Sequence, residues 1–310
     1  MEKRDHWRVE DDLPWPVEAA RTSDDEIVWN DGRFNHVLDF HGDPLHAGAV
    51  VLSDGNHHMA LEETLRAFVA EFREVGDVFY VTLPPSVLLP LFDCGLLRLG
   101  NLCLPLRPNV FISPMDVLER LVERGRLQHL RRFARSRGCA LLVNRGNPRS
   151  VSGLPDLFRA DIRVFISNPE RERASFNVYR DTLYNLAQAA GLDADKLSAR
   201  LESGAPNCMH GQRVHHREAP TALAAGRADV AVLYHHLALR YVRAFPDRFE
   251  MVPLPGSTES GPFPQHVITS YGIGLVGGGG AWGAKLQQFV LGQPTAAIYR
   301  AHGLDAPVTD

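Results

Sequence analysis

The chain is poor in cysteine: four in 310 residues, Cys94, Cys103, Cys139 and Cys208, with no CxxC spacing. That excludes the knuckles of zinc fingers and the motif of thioredoxin-like redox sites. Free, buried thiols in a reducing compartment are the plain expectation, and a Cys94–Cys103 disulfide would require an oxidising one. Long hydrophobic runs are also missing. No stretch approaches the roughly 18 apolar residues of a membrane-spanning helix, so no membrane insertion is expected. Positive charge is not in excess, with 33 Lys and Arg against 37 Asp and Glu and a net charge of -4. Without a basic stripe the chain has no electrostatic footprint for nucleic acid. The one basic cluster, Arg131, Arg132, Arg135 and Arg137, reads as the solvated face of a helix. The N-terminus, MEKRDHWRVEDDLPWP, lacks the apolar run of a secretion signal. The reading is a cytoplasmic protein, or a periplasmic one whose signal has been removed. There is no GxSxG or HExxH. The run Gly277–Gly280 lacks GxGxxG spacing and reads as a flexible loop.

A chain of 310 residues suits two domains. Residues 1–47 are polar and weakly periodic and read as an N-terminal extension. Then an alternation sets in. Ala49–Leu52 is a strand, Ser53-Asp54-Gly55-Asn56 a turn, and Leu61, Leu65, Phe68 and Val69 recur at helical spacing. Strands follow at Val78–Leu83, Asn109–Ile112, Ala140–Val143, Ile162–Ile166 and Val230–Tyr234. Helices are expected over 115–136, 176–190, 219–226 and 283–291, with a helical turn at Leu154–Leu157. Strands alternating with helices argue for parallel sheets in an α/β protein. Ligands of such sheets sit beyond the carboxyl ends of the strands.

Three histidine pairs fall at such places: His57-His58, His215-His216 and His235-His236, six of the 14 histidines. Each stands at a strand end or a helix start. On a strand, adjacent side chains point to opposite faces, so each pair offers about one imidazole to a ligand.

Several segments resemble the type II periplasmic-binding-protein superfamily. Leu142-Val143-Asn144-Arg145-Gly146-Asn147-Pro148, running on to Leu154-Pro155-Asp156-Leu157, resembles its "Gly-Asn-Pro … Leu-x-Asp-Leu" signature. Arg163–Glu170 is similar to its "strand, Asn-Pro-Glu" element. Ala225–Tyr234 resembles its "Gly-x-Ala-Asp" crossover, with Ala231 where a second Gly would stand. Phe289–Gln293 and Ile298–Leu304 look like its closing helix. The resemblance covers about residues 48–305 and is nearest the molybdate-binding proteins, in a divergent His-rich branch. It implies an α/β fold of two lobes, with mixed sheets flanked by helices and two crossovers at a hinge. Lobe one would be 48–136 plus 236–310 and lobe two 137–235. A small anion, such as the oxyanion molybdate, would bind in the cleft, and a transporter permease would be the partner if the chain is exported.

For an anion, the donors singled out are Ser53, Asn56, His57, Ser113, Asn147, Tyr179, His215, His216 and Tyr234, with Ser150 beside them and Arg149 and Arg217 adding charge. Helix N-termini favour such ligands. Each Ser or Asn reads equally as a cap or turn residue, and Arg217 as the partner of Glu218 or Glu202. For a divalent transition metal (Zn, Cu or Ni), the ligands would be His57, His58, His215, His216 and His235, with Asp54 or Asp229 as carboxylate. Asp229 also reads as a structural residue of the crossover turn. His36, Asp39, His41 and His46 form a further cluster of no known ligand spacing. For catalysis, His215 or His216 beside Glu218 would be the base of a lyase or hydrolase; Cys208 and His210 are close in sequence only. A ligand sensor is the third reading.

Overall fold

A computed structural model of the chain describes residues 40–83, 88–89, 92, 96–99, 102–105, 107–204, 207–212, 214–255 and 264–306. The extension expected over 1–47 lies outside these residues up to position 39. Two compact units divide the chain. The first holds His36–Gly138, His235–Leu237 and Ile268–Asp310; the second holds Cys139–Tyr234 and Ala238–Val267.

The strands, in chain order, are β1 (Phe40–His41), β2 (Ala49–Ser53), β3 (Val78–Thr82), β4 (Leu96–Leu99), β5 (Leu102–Pro105), β6 (Val110–Pro114), β7 (Leu127–Arg135), β8 (Cys139–Asn144), β9 (Val164–Ile166), β10 (Cys208–His210), β11 (Val230–Tyr234), β12 (Phe249–Pro253) and β13 (Ser270–Val276). The first unit is built on a six-stranded sheet, β1-β3-β2-β6-β13-β7, with β4 and β5 forming a separate two-stranded ribbon. The second is built on a five-stranded sheet, β10-β9-β11-β8-β12.

Both sheets are mixed, as the resemblance implies. The strands β2, β3 and β6 pair in parallel, and so do β9, β10 and β11. The runs of β2, β3, β6, β9 and β11 are buried along nearly their whole length, as strands covered on both faces should be. The other pairings are antiparallel. The helix His58–Glu71 follows β2 and buries Leu61, Leu65 and Phe68, at the spacing the sequence shows. Full burial of a side chain such as Phe68, 0% exposed, contributes about 1.5–3 kcal/mol.

Two expectations are corrected here. The helix over 115–136 ends at Glu123. Gly125 takes a positive φ of 68° and turns the chain, and Leu127–Arg135 becomes β7, paired antiparallel with β13. Arg131, Arg132 and Arg135 therefore sit on a strand rather than a helix face. His235–Leu237 belong to the first unit, but 238–267, assigned to lobe one by the resemblance, stay with the second, where β12 pairs antiparallel with β8 along five residues.

The Gly277–Gly280 run is a fixed turn. All four residues have positive φ, between 53° and 81°, which glycine adopts without steric penalty. Asn109 ties the turn down, donating from Nδ2 to the Gly279 carbonyl at 2.8 Å. Within the first unit, the segments beside its chain exits also pair: Ser136 N donates to Thr269 O at 2.8 Å, and Thr269 N to Ser136 Oγ at 3.0 Å. Within the second, Cys139 N donates to His266 Nδ1 at 3.1 Å. His266 Nε2 accordingly donates to the Pro255 carbonyl at 2.7 Å.

Candidate functional site

In the first unit, β2 ends at the buried Ser53, and Asp54 caps the 3₁₀ turn Gly55–His57 by accepting from Asn56 N at 2.6 Å. Burial pushes the Asp54 carboxyl up to about 7. Asn56 also donates weakly to Asp54 from Nδ2, at 3.4 Å, and its carbonyl takes the His236 Nε2 contact at 3.0 Å.

His57 belongs to the core. Its Nδ1 meets the Tyr299 hydroxyl at 2.8 Å, its Nε2 lies 3.4 Å from Ser53 Oγ, and Tyr271 and Phe133 pack against the ring. Burial lowers its pKa to about 3, so it stays neutral. His58 Nδ1 is bonded to the Gly55 carbonyl at 2.8 Å. All three pairs sit at helix starts, so the strand rule that predicts one inward imidazole per pair does not apply to them. Burial also pulls His236 down to about 3, with His235 beside it adding to the effect. At the end of β6, Ser113 is 0% exposed and its Oγ has no hydrogen-bond partner. The helix Met115–Glu123 begins two residues later.

In the second unit, the helix His215–Ala224 starts with His215, which is 1% exposed. Its ring stacks on Phe165 of β9, with centroids 5.4 Å apart and planes at 12°, and Tyr179 lies 5.4 Å away on another side. His215 N donates to Glu172 Oε2 at 3.0 Å. The ring hydrogen-bonds the Phe165 carbonyl, while Nε2 is buried with no partner. Burial lowers the imidazole pKa to about 3 and raises the Glu172 carboxyl to about 7.

Ser167 follows β9 directly, 0% exposed, with an unpartnered Oγ. Sequence reasoning did not single it out as a site residue, although a Ser between an apolar strand and Asn-Pro was a usable signal. Tyr234, at the end of β11, packs its ring 5.1 Å from that of Tyr179, whose hydroxyl is bonded to the Tyr234 backbone.

Other candidates are engaged elsewhere. Asn147 closes a turn on itself: its side chain bonds Val151 N at 2.9 Å and Val151 O at 2.7 Å. Arg149 binds Asp161 at 2.9 Å. Glu202 is taken by Arg180 at 3.1 Å and Glu218 by Gln212 N at 2.8 Å. His216 and Arg217 are buried at the helix start, 6% and 8% exposed. Asp229 is structural, accepting from Arg163 N at 2.8 Å and from its guanidinium at 2.8 and 3.0 Å. Cys208 and His210 both bond the Leu201 carbonyl, and burial pushes the Cys208 thiol up to about 11, far from a nucleophilic thiolate. Of the further His/Asp cluster, His36 and Asp39 lie outside the described residues, His41 stacks on Tyr80 and His46 bonds the exposed Asp43 at 2.6 Å. Among the described residues, no group of three or more His, Cys, Asp and Glu is placed to hold a metal ion, and no helix is long and apolar enough to cross a membrane.

Two α/β units, each a mixed sheet flanked by helices, are the architecture of the two-lobed solute-binding class. The chain belongs to the family of bacterial extracellular solute-binding proteins, which it matches over residues 105–305. Similar solved structures include the periplasmic molybdate-binding protein of Azotobacter vinelandii, with a TM-score of 0.57 and 18% identity over 84% of this chain and 99% of that one. The sulfate-binding protein SubI of Mycobacterium tuberculosis gives 0.58 and 16% over 83% and 85%. Peb3 of Campylobacter jejuni gives 0.57 and 12% over 83% and 99%. At these identities the likeness is one of fold. No curated protein matches the chain in sequence.

Proposed function

We propose that the chain binds a small oxyanion or carboxylate at the carboxyl ends of its strands and hands it to a membrane permease. The observation that carries this reading is the pair of buried, unpartnered hydroxyls of Ser113 and Ser167, one in each unit. A buried hydroxyl left unsatisfied costs about 1–3 kcal/mol, which an incoming oxygen acceptor would offset. Helix starts close to Ser113 and at His215 each add a positive dipole end, the His215 N–H itself being taken by Glu172. Hydroxyls and amides of this kind hold an anion without a paired cationic side chain. Family membership supports delivery outside the cytoplasm.

The test is calorimetry and thermal shift with molybdate, tungstate, sulfate, phosphate and small carboxylates. At least one should stabilise the protein, and Ser113→Ala and Ser167→Ala should each weaken it about tenfold, the equivalent of one hydrogen bond. If no anion in this panel shifts the melting temperature, the reading is wrong.

A further inference from the structure

Within that reading, His215 carries information about the solute itself. Its ring has two nitrogens, and in the neutral form one donates while the other accepts. The Phe165 carbonyl is an acceptor only, so the nitrogen facing it must carry the proton. Nε2 is the unpartnered one, so the proton is on Nδ1 and Nε2 presents a bare lone pair. Switching tautomer would strip the Phe165 carbonyl of its donor, and protonating the ring is opposed by burial that holds its pKa near 3. The imidazole also packs against the rings of Phe165 and Tyr179.

Ser167 lies two residues beyond Phe165, the residue on which the His215 ring stacks. The end of β9 and the helix start packed on it thus offer a hydroxyl, which can donate, and an imidazole nitrogen, which can only accept. Glu172, bonded to the backbone N–H of His215 at 3.0 Å, adds a second acceptor whenever it is ionised.

We infer that His215 is a specificity-determining acceptor, and that the solute is an oxyanion bearing its own O–H, as hydrogen phosphate or an α-hydroxy carboxylate does. Sulfate and molybdate at neutral pH have oxygens that only accept. Placed against Nε2 they oppose lone pair to lone pair and leave the nitrogen desolvated and unpaired. An O–H in the same position satisfies Nε2 while an ionised oxygen takes the Ser167 hydroxyl.

This inference rests on the proposed anion site, and matched pairs separate the two. Calorimetry at pH 7 and constant ionic strength compares inorganic phosphate with sulfate, and lactate with propionate. Phosphate should bind at least about tenfold more tightly than sulfate, or lactate than propionate, which is the loss expected for one unpaired buried acceptor. The pair that discriminates identifies the source of the O–H. His215→Phe keeps the stack but removes the acceptor, and should bring the discriminating ratio to within about twofold. If sulfate matches phosphate and propionate matches lactate in the unaltered protein, the inference is overturned while anion binding stands. If no anion binds, both fall. If discrimination survives in a folded His215→Phe, the acceptor is another group and the assignment to His215 is overturned.

Discussion

His57 Nδ1 and the Tyr299 hydroxyl meet at 2.8 Å across 242 residues of chain. Ser53 Oγ donates to the Asp54 carbonyl at 3.0 Å, so its lone pair is left for His57 Nε2–H and Nδ1 is left to accept from Tyr299. The pair joins the turn after β2 to the helix Gln293–Ala301 inside one core. Tyr299→Phe removes the donor and leaves Nδ1 buried without one. The expected loss is about 1–3 kcal/mol, read as a lower urea midpoint with an unchanged m-value. A variant as stable as the parent would show that the contact contributes nothing.

Acid stability should follow the buried groups. His57, His215 and His236 are held neutral down to about pH 3, whereas in the unfolded chain each takes a proton near pH 6.5. Below about 6.5 the unfolded state therefore binds protons that the native state refuses, and stability falls. Asp54 and Glu172 act in the opposite sense. Native, they hold protons up to about pH 7; unfolded, they release them above about pH 4. Their stabilising contribution is full below about pH 4 and is lost as pH rises through 7. Between about pH 4.5 and 6.5, two carboxyls offset two of the three histidines, and the third should lower stability by about 1.4 kcal/mol for each pH unit of acidification. Below about pH 4 the histidines act unopposed, and stability should fall by up to about 4 kcal/mol per pH unit. Asp54→Asn removes one offset and should add about 1.4 kcal/mol per pH unit to the slope between 4.5 and 6.5. An identical slope in that variant would contradict the buried, protonated Asp54.

Gly272 tests the packing between β13 and the helix Met115–Glu123. A Cβ there would lie 2.5 Å from Met115 Sδ, 3.0 Å from Leu118 Cδ1 and 3.1 Å from the Arg131 carbonyl. Gly272→Ala should cost about 1–3 kcal/mol by overpacking. Gly146→Ala is a control for backbone strain alone, since its φ is 76° but no atom lies within 4 Å of the added carbon. It should cost less, and the reverse order in denaturation would refute the close contact.

The Cys139 and Cys208 thiols are buried and pushed up to about 12 and about 11. In a Cys94→Ser/Cys103→Ser variant, neither should react with a thiol reagent at pH 8 until denaturant is added, when both should titrate. Fast reaction in the native protein would mean that these sites open.

Much of this architecture can be read from the chain because its signals are local. Ala49–Leu52, the polar turn that follows and the spacing of Leu61, Leu65 and Phe68 give strand, cap and helix within twenty residues. Leu127–Arg135 is different. Its strand character depends on β13, more than a hundred residues downstream, and only Gly125 hints at the break. The same holds for the candidate site. That the histidine pairs stand at helix starts is visible in sequence. That His57 is a core residue depends on Tyr299, and that His215 has a vacant acceptor depends on Phe165, fifty residues before it. Asn147 and Arg149 satisfy the composition of an anion site, but their nearest partners, Val151 and Asp161, engage them first.

The misplaced arginines have a use where they lie. The strand β7 is the last of the six in its sheet, and such a rim exposes backbone groups ready to recruit a strand from another molecule. Arg131 and Arg132 are solvent-exposed on it, and His129, with a positive φ of 51°, breaks its regularity where the register with β13 shifts. Exposed charged side chains and an irregular rim are features that disfavour edge-to-edge pairing. The arginines expected on a helix face thus lie on a sheet edge, and a chain with Thr at both positions should precipitate more readily on storage.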